Sequence, residues 1–284
     1  MHRHNPLPRR ARAVFLALVW LATSLPTPAL APEVELKPAT AAAFDNYAGQ
    51  LEARFQTDLA AGAPFLWVDT LAEGARKLDL EKLARGEVVM HQVARPDCPD
   101  GIIHHWMGTI FIPGVTLPQL LKLLQDYDRH ATYYAPEVAA SKLLSRTGDE
   151  FKIFLRFRRK KVITVILNTS HTVRYTTLSP TRVMSRSVST RVAQAEDSDK
   201  PDGPEKPVGN DGGYLWRINA YWRFEQKDGG VYVQCESISL SRAIPAIVKW
   251  FVEPIVDGIT RESLAFTLTA TRRAMASKPG ASGD

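Results

Sequence analysis

The sequence has 284 residues, 45% hydrophobic and 23% charged, enough apolar material for one large domain or two small ones, and this composition excludes a disordered or fibrous chain. Its formal charge of +6 is concentrated at the start, where residues 1–31 hold Arg3, Arg9, Arg10 and Arg12 and no acid, leaving only +2 for the remainder. A body so nearly neutral lacks the broad basic footprint of a nucleic-acid-binding protein, and that class is set aside.

Residues 1–31 join a basic start to an apolar run from Ala13 to Leu25 and small residues at Ala29-Leu30-Ala31. This pattern predicts a secretory signal peptide, and so a soluble, exported protein, periplasmic or secreted, starting between residues 30 and 35. The run is shorter than the roughly 20 residues that span a bilayer. Residues 32–43, rich in Ala and Pro, read as a linker. Phe44, Tyr47, Leu51, Phe55 and Leu59 recur at a helical period, and a second helical patch over 68–84 stops at Gly86. Residues 32–84 therefore form an N-terminal linker and helical extension.

Two strand-like runs follow, "EVVMHQVA" and "GIIHHWMGTIFI", separated by the turn "RPDCPDG". The stretch "LPQLLKLLQDYDRHATYYAP" predicts one helix, with Pro118 in its first turn, Leu120, Leu121, Leu123, Leu124 and Tyr127 on one side, and an end near Tyr133. From 138 to 240 alternation replaces the helical period. Connections such as "TGDE", "SPT" and "KDGG" are too short for parallel crossovers, so the strands form an antiparallel meander. Residues 195–213 are charged, Pro/Gly-rich and almost empty of apolar side chains, which predicts a disordered, dispensable loop. The chain closes with a helix over 243–275, in which Ile247, Val248, Trp250, Phe251, Val252, Ile255, Val256 and Ile259 leave no polar face. Residues 277–284 are a tail.

One parity of residues 163–175 holds Ile163, Val165, Leu167, Thr169, His171, Val173 and Tyr175. In residues 216–224 the apolar parity is Trp216, Ile218, Ala220, Trp222 and Phe224. The sheet is thus expected to bury one face and solvate the other, and the terminal helix is the only long apolar element left to cover the buried face. Serines of the run "TRVMSRSVSTRVAQ" fall on the solvent parity, whereas Arg186, sharing a parity with Met184 and Val188, is expected to point inward.

Catalytic signatures are scarce. His104 and His105 are adjacent in a strand, so they face opposite ways and cannot share a metal ion. There is no spaced metal-ligand set, phosphate loop or nucleophile elbow, and nothing implies a cofactor. Cys98, in a turn, and Cys235, in a strand, read as a loop thiol and a buried thiol. The run "RFRRKK" reads as a solvated hairpin. It also offers a transient contact with anionic head groups through Arg156, Arg158, Arg159, Lys160 and Lys161, each charge worth about 1 kcal/mol near such a surface.

The order of elements over residues 85–276 resembles the helix-grip fold of the START-like superfamily. The stretches that carry the resemblance are "GTIFIPGVTLPQLLKLLQDYDRHATYYAP" and "SRAIPAIVKWFVEPIVDGITRESLAFTLTATRRA". It implies an α+β fold in which a curved antiparallel sheet wraps a long C-terminal helix, here with extra N-terminal helices, and a deep apolar cavity lies between them. It also implies binding, and transfer, of a lipid or other hydrophobic small molecule, with a cyclase- or aromatase-like enzyme as the alternative. Leu167, Thr169, His171, Arg186, Trp216, Ile218, Trp222, Phe251, Ile255 and Ile259 are then the expected lining. Thr169, His171 and Arg186 would meet the polar end of the ligand, and in the enzyme alternative His171 or Arg186 would handle a proton.

Overall fold

A computed structural model describes residues 33–277 except 161–162, 197–202, 246 and 248; the side chains at 249 and 251–257 are also outside the description. The signal-peptide reading of residues 1–31 and the side chains of Phe251 and Ile255 therefore lie outside the described residues.

The elements are β1 (Val34–Glu35), α1 (Pro38–Ala60), α2 (Glu73–Ala84), β2 (Val89–Ala94), β3 (Gly101–Pro113), α3 (Leu117–Leu124), α4 (His130–Tyr133), β4 (Val138–Thr147), β5 (Glu150–Lys160), β6 (Thr164–Ser179), β7 (Arg182–Gln194), β8 (Asn210–Asp211), β9 (Arg217–Lys227), β10 (Gly230–Arg242) and α5 (Lys249–Ala276). Eight strands form one antiparallel sheet in the order β2-β3-β10-β9-β7-β6-β5-β4. Tight turns set most of this order. Between β9 and β10, Asp228 and Gly229 both have positive φ, at 54° and 73°, the backbone of a two-residue hairpin turn whose twist matches the strands it joins. The chain crosses from β3 to the far edge strand β4 through α3 and α4, and α5 then returns across one face. This is the helix-grip arrangement expected from the sequence.

On that inner face, Leu264, Leu268, Ala270, Ala274 and Met275 of α5 join Ile110 and Ile112 of β3, Val233 and Cys235 of β10, Phe224 of β9 and Leu120, Leu123 and Leu124 of α3 in one core. The approach is close. A Cβ added to Gly108 in β3 would lie 2.6 Å from Leu268 Cδ1 and 2.7 Å from Met90 Sδ, so the bare backbone there seats the helix.

The expectation of a solvated second face is wrong. The outer face is covered by α1, whose Phe44, Ala48, Leu51 and Phe55 pack on Ile103, Tyr221, Ile238 and Leu240. Phe65, Leu66 and Val68 extend that cover over Val89 and Tyr232. The apolar stripe of α1 was visible in the sequence; its partner was missed because the outer-facing residues are mixed, with Arg223, Glu225 and Glu236 set between the aliphatic ones.

Boundaries also shift. Residues 38–43 belong to α1 and not to a linker, because Pro38 suits the first helical turn and alanines follow it. The patch at 68–84 divides into a short 3-10 turn, Trp67–Thr70, and α2. The helix expected over 117–133 breaks at Asp126, where the Asp126 carboxylate accepts the Tyr133 hydroxyl at 2.7 Å and that of Asp128 accepts the Leu143 amide at 2.9 Å. The terminal helix begins at Lys249, six residues later than expected, and ends at Ala276.

The described part of the loop 195–213 is ordered by specific contacts. Ala195 bridges Glu205, whose carboxylate accepts from Asn168 Nδ2 at 2.7 Å and pairs with Arg191. Strand β8 pairs with β1, and Asp211 is buried, its Oδ1 accepting from the Gly213 amide at 2.7 Å and the Trp216 indole at 3.2 Å. The segment packs by polar contacts, which the search for apolar residues could not register. Asp211→Ala leaves two buried donors unpaired and is expected to lower the unfolding free energy by about 1–3 kcal/mol in urea denaturation. An unchanged midpoint would show that the segment contributes nothing to the fold.

Candidate ligand-binding site

Register sorts the side chains of each inner strand between the two faces. One inner row runs Tyr175, Ser185, Trp222, Cys235, Gly108 and Met90. The next runs Phe151, Val173, Ser187, Ala220, Ser237 and Trp106. Beyond it Ile153, His171 and Ser189 align, as do Ile218, Ser239 and His104, and the Ser189 hydroxyl bridges the two sets by accepting the Ile218 amide at 2.9 Å. A bulge at Thr190 then keeps Val192 and Gln194 on the inner face beside Thr169 and Leu167.

Side-chain size changes along these rows. At the end beneath Leu264–Met275 the face is filled by Val183, Phe224, Val233 and Ile110, all buried. Tyr127 and Tyr175 join hydroxyls there at 3.0 Å, and Tyr134 bonds Thr271 of α5 at 3.1 Å. Towards the first half of α5 the middle of the face is small: Ser187, Ser189, Ala220, Ser237 and Ser239. Around it stand Trp106, Leu155, Phe157, Leu167, Ile218 and Trp222, apolar and only half-buried although their strands are paired on both sides. Small side chains thus lie at the centre of this part of the face, with half-buried large ones around them. Arg159 closes the rim, paired with Glu137 and Glu262 and donating to the Ile259 carbonyl at 3.4 Å.

The central strands of the inner face carry no formal charge, and Arg159 of β5 stands at its rim. Among the inner-facing side chains of β3, β6, β7, β9 and β10 there is no Asp, Glu, Lys or Arg. Its polar groups are hydroxyls, the Gln194 and Gln226 amides, the Trp106 indole and two histidines. His104 Nε2 lies 3.0 Å from Ser241 Oγ. His171 Nε2 lies 2.9 Å from Thr169 Oγ1, which donates to the Leu155 carbonyl at 3.0 Å. Burial alone lowers His171 to a pKa of about 4. His130, under the sealed end, is also pushed down to about 4 by burial, against the opposing bond to the Leu124 carbonyl. Three buried nitrogens on this side, His171 Nδ1, Trp106 Nε1 and Arg159 Nε at the rim, have no hydrogen-bond partner.

Of the expected lining, Leu167, Thr169, His171, Ile218 and Trp222 share the inner face, and Ile259 is half-buried beside them on α5. Two assignments need correction. Arg186 is on the outer face, half-exposed, and binds Glu52 of α1 at 2.7 Å. Met184 and Val188 do share its face, but that face is the outer one, where Met184 packs on the cluster of Phe65, Leu66 and Val68. Trp216 precedes β9 and packs with Phe44 and Leu240 under α1, its indole on Asp211, so the apolar alternation did not extend back to it. The serines of β7 were placed in solvent, yet Ser185 and Ser189 are buried and Ser187 half-buried on the inner face. Alternation with the exposed Arg182 and Arg186 was the signal that could have found them.

The basic run is divided as well. Arg156 is buried on the outer face and Arg159 is engaged in ion pairs, so Arg158 and Lys160 are its exposed charges among the described residues; Lys161 lies outside them. His104 and His105 do face opposite ways. His105 belongs to an outer network, accepting the Tyr47 hydroxyl at 2.6 Å and donating to Glu236 at 2.8 Å, with Arg54 on the same carboxylate at 2.7 Å. Burial would raise Glu236, but these bonds hold its carboxyl below the usual range. Cys98 and Cys235 are both free thiols. Among the described residues no group of His, Cys, Asp and Glu could hold a metal ion, and no helix is long and apolar enough to cross a membrane.

No protein-family model and no curated protein matches the sequence. Solved structures similar in backbone include a STAR-related lipid transfer protein from Xanthomonas axonopodis, 17% identical, covering 66% of this chain and 98% of that one, with a TM-score of 0.44. A START superfamily protein from Mycobacterium smegmatis is 11% identical, covering 61% and 97%, with a TM-score of 0.40. The Zhui aromatase/cyclase from Streptomyces sp. R1128 is 11% identical, covering 61% and 94%, with a TM-score of 0.37. At these values the fold assignment rests on the strand order and the placement of α5.

The two buried histidines predict an acid-labile fold. An unfolded imidazole takes up its proton near pH 6.5 and these folded ones only near pH 4, so the unfolded state binds more protons throughout that window. Stability is full above about pH 6.5 and falls as the pH drops towards about 4. Glu236, whose folded pKa is depressed, adds a further loss as pH falls below 4.5. Thermal melts from pH 7 to 4 are expected to show a falling Tm and a shallower slope for His171→Gln; a Tm constant between pH 7 and 5 would contradict the burial of these side chains.

Proposed function

We propose that the protein is exported and carries a lipid or other hydrophobic small molecule between the inner face and the first half of α5. The observation that supports this best is the pattern of sizes on that face: a centre of serines and Ala220, surrounded by half-buried Trp106, Trp222, Ile218, Leu155, Phe157 and Leu167. An apolar body placed there would gain about 25 cal/mol for each Å² withdrawn from water. The filled end beneath Leu268 makes the first half of α5 the side of entry. The basic start of the sequence and its short apolar run support export.

Filling the space separates a cavity from solid core. Ala220→Phe and Ser187→Leu are expected to keep or raise the Tm of the ligand-free protein and to weaken binding of a fluorescent long-chain lipid probe at least tenfold. In a packed core the same substitutions would cost about 1–3 kcal/mol. Destabilisation of that size, together with no probe binding by the parent protein, would overturn the carrier reading.

Delivery at a membrane surface is part of the same proposal. Ile247 and Trp250, just before and within the first turn of α5, are 84% and 80% exposed, and Arg158 and Lys160 are exposed at the end of the hairpin that Arg159 ties to α5. Apolar tips beside basic side chains suit an anionic lipid surface. The double variant Ile247→Glu, Trp250→Glu is expected to lose co-sedimentation with vesicles of phosphatidylglycerol and phosphatidylcholine while the probe still binds in solution. Equal sedimentation of variant and parent would exclude this surface.

A further inference from the structure

Building on the carrier reading, we infer that the bound molecule is uncharged and presents a hydroxyl group to Nδ1 of His171. The first part rests on what the inner face lacks. A carboxylate or phosphate carried between β3, β6, β7, β9 and β10 would meet no inner-facing Lys or Arg on those strands, and a cation no Asp or Glu, while the one inner-parity cation of β5, Arg159 at the rim, is already paired with Glu137 and Glu262. An ion held there without a partner would lose its hydration for nothing in return.

The second part follows from proton counting. The Thr169 hydroxyl has one proton and spends it on the Leu155 carbonyl at 3.0 Å, since a carbonyl only accepts. Its 2.9 Å contact with His171 Nε2 must then run the other way, with the imidazole donating. Nε2 therefore carries the ring proton and Nδ1 is a bare lone pair. That nitrogen is buried without a partner on a side chain only 5% exposed. The ring stays neutral at physiological pH because burial lowers its pKa to about 4. A neutral, fixed acceptor selects a donor. A hydroxyl satisfies it, an ether or ester oxygen repels it, and a carboxylate sets like charge density against it. Thr169 is the positioning residue, because it fixes which nitrogen keeps the proton.

The test compares matched probes on two scaffolds: hexadecan-1-ol against 1-methoxyhexadecane and palmitate, and cholesterol against its 3-O-methyl ether and its sulfate. Competition with a fluorescent lipid should rank the alcohol about tenfold above its ether and above the anion on whichever scaffold fits, the worth of one neutral hydrogen bond. His171→Leu should abolish the preference for alcohol over ether while leaving ether binding in place. Thr169→Val, which keeps the imidazole but frees its tautomer, should reduce that preference. The readout is a ratio of two ligands on one protein, so a general loss of stability does not imitate it. Equal affinity of alcohol and ether in the parent, or a preference that survives His171→Leu, would overturn the inference and leave the carrier reading standing. If no probe on either scaffold binds the parent, the inference falls together with the reading beneath it.

Discussion

The structure depends on an uneven contact between α5 and the sheet. In its second half Leu264 and Leu268 settle on the bare backbone of Gly108, Thr271 bonds Tyr134, and Met275 joins the core of α3. That half is anchored by burial, each large aliphatic side chain contributing roughly 1.5–3 kcal/mol. The middle of the inner face carries serines and an alanine instead, which offer little dispersion contact. Arg159 ties β5 to this helix through the Ile259 carbonyl.

Charge is divided between the two faces as sharply as size. Arg223, Glu225 and Glu236 point outward beneath α1, where Arg54 and Glu52 meet their networks, and Tyr47 reaches His105. Breaking such a buried pair leaves an uncompensated charge, so these contacts fix where α1 sits even if the net stabilisation is small. The exposed Arg186–Glu52 pair is worth little in energy but serves the same register. Because α1 takes up the charged groups of the central strands, their other side is left neutral.

Much of this was legible in the sequence, for identifiable reasons. The turn at Asp228-Gly229, the alternation over 163–175 and the apolar run of α5 each express a single dominant force, and each specified its element. The candidate site was half legible: Leu167, Thr169, His171, Ile218 and Trp222 follow from strict alternation. Arg186 did not, because Met184 and Val188 share the outer face with it, and Trp216 did not, because it precedes the start of β9 at Arg217. The cover on the outer face was hidden by mixed polarity, since a side chain such as Arg223 is buried by lying between the Phe55 and Phe65 rings and not by being apolar. The order in residues 203–213 was hidden for the same reason, its anchors being Glu205 and Asp211.

Serine explains why the site itself was the least visible part. In a strand, serine usually signals the solvent side, and between arginines that reading is natural. Here the inner-facing parity of β7 and β10 carries Ser185, Ser187, Ser189, Ser237, Ser239 and Ser241, beneath a helix. Buried hydroxyls are tolerated because they bond locally, as Ser189 does with the Ile218 amide and Ser241 with His104. A core built for stability would place Val or Ile at those positions, gaining both burial and strand propensity. Giving up that stabilisation in the middle strands, where packing matters most, is intelligible if the volume has another use. In the proposed carrier the same residues would define the space, and their neutral hydroxyls would be chemically continuous with the acceptor at His171.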